Sequence, residues 1–591
     1  MIELEQLNRA TVPEFVAALA TIFEHSPWVA ERVAGLRPFK SSIELHRAMS
    51  RAVMQAPAEQ QMTLIRAHPE LAGRAAQRGE LTAASTGEQQ GAGLSACTAP
   101  QLQSLTALNS QYRRRFDMPF ILAVKGHTPD SVIAALTARL THDAPEERGV
   151  ALQEICRIAR FRLADLIEES WGEAIIAMLE DLAGCSEADD ALTCSYLTPA
   201  HRAAAGRIRE YMLAAGLRVH TDAVGNVVGV LPGSLCGARR VLTGSHYDTV
   251  IDAGKFDGRL GILLPIVVAG AMRRAGVKLP FPLDIIAFAE EEGVRFKSTF
   301  LGSRAVAGRF DFTVLGSTDA QGITLRQAMA AAGLDVAAIN AAAYDPQQVA
   351  CFVEVHIEQG PVLLEAGRAV GVVTAIAGSR RSMVTVRGLS GHAGTVPMGL
   401  RQDAAAAAAE MVLAVERRCS AEPGLVGTVG RLEVPGGAIN VIPGHCEFSI
   451  DLRSGSDALR DAAHRDIGAE IRRIAARRGV VVECTEVLEA ASVPCNAALQ
   501  EAWAASVQRV TMSAARRLPS GAGHDAMMMS SLTDIGMLFV RCGNGGISHH
   551  PDETLSAADA DVAARVFEDF LHHFAAAPQS APAPQSAAAP Q

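Results

Sequence analysis

Four apolar, strand-like runs in this 591-residue chain each lead into side chains that bind metals. Arg240 to Thr243 leads into Gly244-Ser245-His246-Tyr247-Asp248, and Ile285 to Phe288 into Glu290-Glu291-Glu292-Gly293. Phe352 to Val355 leads into His356-Ile357-Glu358-Gln359-Gly360. Met537 to Val540 passes through a glycine-rich loop to Ser548-His549-His550-Pro551. Imidazole with carboxylate suits zinc or manganese, and a carboxylate between two histidine-bearing sites can bridge two ions. Two ions about 3.5–4 Å apart can share a hydroxide and polarise a carbonyl, which is metal-assisted hydrolysis. Taken singly, a histidine after a strand is more often a loop residue, and an acidic triplet more often a solvated helix start. Four such ends in one chain point to a shared pocket, because ligands of open α/β sheets gather outside the carboxyl ends of the strands.

The elements that must position these groups begin near residues 168–172, where the texture of the chain changes. Before that boundary the pattern is helical. Thr11-Val12-Pro13 reads as a cap with an early-turn proline, and Phe15, Leu19, Ile22 and Phe23 follow on one face. Leu102, Leu105, Leu108 and Tyr112 repeat the pattern until Met118-Pro119 breaks it, and residues 151–168 form a further amphipathic helix. Beyond the boundary, Val241-Leu242, Leu283 to Phe288, Cys351 to Val355 and Met537 to Val540 alternate with alanine-rich helices, as in an α/β domain. From about Ser379 to Pro494 the order becomes strand, helix, strand, strand, helix, a separate α+β insertion. The expectation is a multidomain chain: an all-α domain (1–168), an α/β domain (171–378 and 495–574) and an inserted α+β domain (379–494). The Ala/Pro/Gln/Ser tail, 575–591, is expected to be disordered.

Composition narrows the function classes. The net charge of -10 offers no basic stripe for nucleic acid, and no apolar run reaches the length of a membrane span. The opening MIELEQLNRA is unlike a signal peptide, and the eleven cysteines form no CxxC pair. A soluble, cytoplasmic enzyme acting on small molecules is expected.

GSHYDTV (244–250), DAGKFDG (252–258), EEEGVRF (290–296), HIEQGPVL (356–363), GHAGTVPM (391–398), INVIPG (439–444), DLR (451–453), SGAGHDA (520–526) and ISHHPDE (547–553) occur in that order. Together they resemble the allantoate amidohydrolase and N-carbamoyl-amino-acid hydrolase group of the M20 metallopeptidase-like family. The resemblance implies a two-metal hydrolase domain interrupted by a lid that dimerises. By motif, Asp257 would bridge two divalent ions (zinc or manganese), with His246, Glu292, His356 and His549 completing them. Glu291 would be the general base, and His392 would reach across a homodimer to the developing oxyanion. Asn440 and Arg453 would grip a substrate carboxylate, and Gln359 and His524 would make further substrate contacts.

In the first 168 residues, HSPWVAERV (25–33), RPF (37–39), AHPELAGR (67–74), STGEQQGAGL (85–94), NSQYRRRFDMPFILAVKG (109–126) and RIARFRL (157–163) resemble OHCU decarboxylase. Asp117 stands where that family commonly has glycine. The resemblance implies an all-α, cofactor-free enzyme that converts 2-oxo-4-hydroxy-4-carboxy-5-ureidoimidazoline to (S)-allantoin. His68 would be its central catalytic residue. Glu88 and Gln89 would bind the ring and ureido group, Ser85 would assist, and Arg162 would hold an anionic group. A decarboxylase ahead of the hydrolase favours allantoate as the second substrate. An N-carbamoyl-L-amino-acid hydrolase, or one silent half, is the alternative.

Overall fold

The computed structural model describes residues 2–71, 83–125, 127–168 and 170–576. Part of the AHPELAGR segment and the tail from 577 onward, expected to be disordered, lie outside the described residues.

The N-terminal region is helical because its apolar residues recur at helical spacing and its helix starts carry caps. Thr11 and Glu14 form a capping box at the helix Val12–Leu19, and Thr98 and Gln101 form another at Ala99–Phe116. The first of these helices stops at Leu19, so Ile22 and Phe23 reach the core from the turn that follows it. Ala99–Phe116 ends at Asp117 with φ 54°, the left-handed conformation that favours glycine at a helix C-terminus. The helix Ala144–Leu166 crosses the region and packs against Ser42–Met54. One strand pairing adds to the expected all-α pattern: Ile167–Glu168 pairs in parallel with Ile2–Glu3.

A buried carboxylate joins this region to the next. Asp181, on the helix Trp171–Ala183, meets Arg47 and Arg160 of the helical region together with Arg207 and the Tyr211 hydroxyl of its own side. Burial pushes the Asp181 carboxyl up, but Arg207, Tyr211 and Arg160 outweigh it and hold the pKa at about 2.

The hydrolase-like domain is built on a nine-stranded sheet. Its centre is four adjacent parallel strands in the order Ile535–Val540, Val349–Ile357, Arg240–His246, Leu283–Phe288. These are the four runs that lead into the candidate metal-binding residues, and being parallel they bring all four carboxyl ends to one edge. Leu283–Phe288 and Ile535–Val540 are buried throughout, as expected where helices cover both faces of a parallel sheet. Antiparallel strands flank this centre on both sides.

The chain leaves this sheet after Val370–Ile376 and returns at Val493–Pro494, and the two segments pair with each other. Between them lies the inserted domain, with Gly378–Arg387, His445–Ser454, Leu425–Thr428 and Val481–Ala490 in one sheet. The helices Ala404–Ser420 and Asp457–Arg478 pack on it around Val384, Met411, Phe448 and Ile467. The closing strand, Val481–Ala490, comes after the second helix and extends the expected order. It is exposed along most of its length and shows no apolar alternation to read.

Candidate active sites

The candidate metal-binding residues meet at the carboxyl edge of the parallel strands. Donor atoms of His246, Asp257 and His356 lie within 4.8 Å of one another, as do those of Asp257, Glu292 and His549. Asp257 belongs to both groups. Its Oδ1 lies 3.6 Å from His246 Nε2 and 3.3 Å from His356 Nε2, and its Oδ2 lies 3.0 Å from His549 Nε2. His549 Nε2 is in turn 3.6 Å from Glu292 Oε1. In two of the three rings the other nitrogen faces a carbonyl: His246 Nδ1 is 3.1 Å from Asp248 O, and His356 Nδ1 is 2.9 Å from Ile357 O. A carbonyl only accepts, so both Nδ1 atoms carry hydrogen, and each ring turns its Nε2 toward Asp257.

The electrostatics suit cations. Asp257, Glu291 and Glu292 are packed among imidazoles, and no Lys or Arg pairs with them among the described residues. Burial pushes the Glu291 carboxyl well above the usual range. Burial and the nearby Asp257 charge push Glu292 up to about 7. Excess buried carboxylate of this kind is what divalent ions compensate, and the donor set fits two ions sharing Asp257.

Supporting residues that the motif reading left without a role hold this arrangement. Asp248 accepts hydrogen bonds from the Glu291 and Glu292 N–H groups. Glu553 accepts from Phe256 N, Asp257 N and Ser548 Oγ, tying the Asp257 loop to the His549 loop. Glu354 accepts from Ser245 Oγ and Ala526 N. Gly258, at φ +65°, lets the chain pass against the His246 ring. Asp248, Gly258 and Glu553 all stand inside motifs quoted above, so their position was the available signal.

The remaining residues expected to act on substrate at the hydrolase site fall in four places. Gln359 touches the cluster, its Nε2 donating to Asp257 Oδ2 at 2.9 Å. His524 is buried edge-on against His356, with Nε2 2.7 Å from Ser520 Oγ, and burial lowers its pKa well below the usual histidine value. Arg453 reaches from the inserted domain to Gly521 O at 2.9 Å. His392 and Asn440 are exposed on the inserted domain. No hydrogen bond or ion pair among the described residues joins either to the metal cluster within one chain.

A second site lies in the helical region. His68, Ser85, Glu88, Gln89 and Arg162, drawn from three separate segments, line one pocket with Phe120, Leu122 and Ile158. His68 Nδ1 is 3.0 Å from Leu64 O and so carries the hydrogen, while Nε2 is buried without a hydrogen-bond partner among the described residues. Burial lowers the His68 pKa to about 4, so the ring is neutral with its Nε2 lone pair available. Arg162 uses all five N–H donors: Glu88 takes two (2.8 and 3.1 Å), and Glu24, Thr21 O and Ser85 Oγ take one each. Glu24 was not anticipated. It stands immediately before the HSPWVAERV motif and lies 2.7 Å from Arg162 across 138 positions of sequence.

A parallel-sheet domain with a shared-carboxylate donor cluster at its carboxyl edge and an inserted α+β domain is the frame of a hydrolase whose donor set could hold two metal ions. Residues 216–573 match the model of peptidase family M20/M25/M40, and the chain belongs to that family. Residues 8–164 match the OHCU decarboxylase model, which adds a lyase domain in front. Allantoate deiminase 2 of Glycine max is 39% identical over 439 residues, covering 69% of this chain and 91% of that protein. N-carbamoyl-L-amino acid amidohydrolase of Geobacillus stearothermophilus is 41% identical over 369 residues, covering 62% and 90%. A crystal structure of a hydantoinase/carbamoylase family amidase from Burkholderia multivorans superposes with a TM-score of 0.65 at 29% identity, covering 69% of this chain and 98% of that one.

Proposed function

We propose that the chain catalyses two steps of ureide breakdown: decarboxylation of 2-oxo-4-hydroxy-4-carboxy-5-ureidoimidazoline to (S)-allantoin, and hydrolysis of allantoate to ureidoglycine, ammonia and carbon dioxide. The observation that carries this reading is the presence on one chain of both assembled sites, the His68 pocket and the Asp257 cluster. The step between them is hydrolytic opening of the allantoin ring. Pairing with the decarboxylase favours allantoate over N-carbamoyl amino acids, and allantoate deiminases match over more of the chain than the Geobacillus carbamoylase does.

In the helical pocket the substrate's own imine accepts the electron pair as the carbon–carboxylate bond breaks. The carbon that loses carbon dioxide also bears a hydroxyl. Loss of carbon dioxide leaves a ring enol. His68 Nε2, a buried acceptor, takes the hydroxyl proton and returns it to the former imine carbon as the carbonyl of allantoin forms. The ring nitrogen that took the electron pair gains its proton from water. Glu88, fixed by two hydrogen bonds from Arg162, and Gln89 receive the ring and ureido N–H groups.

In the hydrolase site two bound divalent ions, zinc or manganese, would polarise the scissile carbonyl and acidify a water. His246, Asp257 and His356 would hold one ion, and Asp257, Glu292 and His549 the other. Glu291, fixed at its backbone by Asp248, would take a proton from the attacking water and pass it to the leaving nitrogen. Arg453 supplies the fork for the substrate carboxylate. We also infer a homodimer through the inserted domain. Met398, Leu400 and Ile439 are exposed there beside His392 and Asn440, an apolar patch suited to burial that would bring both residues to a partner's site.

The test is a substrate panel on metal-reconstituted protein. Ammonia release from allantoate, with little from N-carbamoyl amino acids, is expected; the reverse preference would overturn the substrate assignment. Formation of (S)-allantoin from the carboxylated imidazoline, followed by circular dichroism, tests the first activity.

A further inference from the structure

The decarboxylase pocket continues into a wider cleft between the helical region and the hydrolase domain. Glu88, Val124, Ile158 and Arg162 line both spaces. The far wall of the outer cleft carries Arg273, which belongs to the hydrolase domain as the last but one residue of the helix Leu260–Arg274. Lys125, from the helical region, stands in the same wall.

Among the described residues Arg162 is the cation of the inner pocket, and its five donors are taken by Glu88, Glu24, Thr21 O and Ser85 Oγ. An entering carboxylate therefore finds no open donor on Arg162. The outer cleft differs. Lys125 Nζ donates to Ala214 O at 2.9 Å, using one of its three donors. Arg273 Nε donates to Ala215 O at 2.8 Å, and its terminal nitrogen lies 3.8 Å from Asp165, beyond hydrogen-bonding distance. Both cations are thus tied at one point to the C-terminal end of the helix Pro199–Ala214, where carbonyls attract positive charge. The remaining donors are left over for the cleft. The Arg273 guanidinium is also held sterically: Gly216, at φ +83°, lies so close that a Cβ there would collide with it.

We propose that Lys125 and Arg273 form an anion-receiving vestibule for the decarboxylase. The hydrolase domain then contributes a positioning residue to the other domain's site. The ligand class is a small ureido ring compound bearing one carboxylate, and the inference rests on the decarboxylase reading above. The two cations draw the carboxylate in past Asp165 and orient the ring toward His68, and they take no part in bond breaking.

The experiment uses the full-length protein and initial rates of decarboxylation of the carboxylated imidazoline at low and high salt. In Arg273→Ala the KM is expected to rise about tenfold, with kcat unchanged and the salt dependence flattened. Arg273→Lys should recover most of the loss, and Gly216→Ala, which keeps every charge but displaces the guanidinium, should reproduce it. Ammonia release from allantoate should not change in any variant. An unaltered KM in Arg273→Ala would overturn the proposal. So would a rise that Arg273→Lys fails to recover, since that marks Arg273 as a structural tie only. A wild-type chain that does not decarboxylate would overturn this inference together with the reading beneath it; decarboxylation indifferent to Arg273 overturns this inference alone.

Discussion

Gly258→Ala is expected to empty the first ion position and silence the hydrolase while leaving the decarboxylase intact. Gly258 has φ +65°, a left-handed conformation that costs a residue with a Cβ roughly 1–2 kcal/mol. The larger effect is steric. A Cβ at this position would lie 2.5 Å from Cε1 and Nε2 of His246, where ordinary contact begins near 3.4 Å. The ring must therefore retreat by about 0.9 Å, whereas metal–ligand distances tolerate only about 0.2 Å. The ring has little room to do so, because His246 is 3% exposed and its Nδ1 is engaged by Asp248 O. Loss of one of three protein ligands should weaken that position by at least the roughly 10- to 100-fold typical of a disturbed supporting contact. The assay is metal content by mass spectrometry after dialysis against a limiting chelator, with ammonia release from allantoate measured on the same sample. Wild type should retain two ions per chain and the variant one or fewer, with the midpoint of thermal unfolding only slightly lowered. A variant that keeps two ions and full ammonia release would refute the geometric reasoning.

Glu291→Gln should abolish ammonia release with metal content unchanged, because the proposed mechanism gives this carboxylate the water's proton and assigns the ions to other residues; turnover at the wild-type rate would sink the general-base assignment. The neutral, buried His68 predicts a decarboxylation rate with no histidine inflection between about pH 5 and pH 8. Its pKa of about 4 lies below the ordinary 6.5, so the unfolded chain binds the extra proton in that interval and the folded state loses stability as pH falls through it. A rate inflection near pH 6.5 that disappears in His68→Gln would contradict this. Asp181→Asn should cost about 3 kcal/mol, the low end for breaking a buried ion pair, because Arg47 and Arg207 are themselves partly exposed. The wild-type Asp181 contribution is present above the ordinary pKa of 3.8 and fades as pH falls through about 2. Denaturant unfolding checks the magnitude, and a loss under about 1 kcal/mol would refute it.

Much of the hydrolase site was legible because its donors interrupt apolar runs. A histidine or an acid at the end of a strand like Leu283–Phe288 stands out against a fully buried segment. The parallel order of the four central strands was not legible, since sequence alone does not say which strands pair, yet that order is what brings His549 to Asp257. Glu24 escaped notice because its partner Arg162 is 138 residues away and nothing local marks a buried acid beside a turn. Val481–Ala490 escaped for the opposite reason: it is exposed on both faces, so period-two alternation, the usual sign of a strand, is missing. The pocket around His68 depends on helices packed from remote parts of the chain, and residue types placed it only through family motifs.

The point where the inserted domain joins the catalytic sheet has a consequence for the order of folding. Ile376 pairs with Val493 in the catalytic sheet, and a step further out Ser379 pairs with Ala490 in the inserted one. An unfolded loop spanning that interval would oppose the Ile376–Val493 pairing by about 4 kcal/mol of chain entropy. An inserted domain that has already folded brings the two ends together as adjacent antiparallel strands, and most of that opposition disappears. The insertion is therefore expected to fold early and act as a clamp that nucleates the edge of the catalytic sheet. In pulsed hydrogen exchange, amides of Gly378–Arg387 and His445–Ser454 should gain protection before those of Val370–Ile376; the reverse order would rule the clamp out.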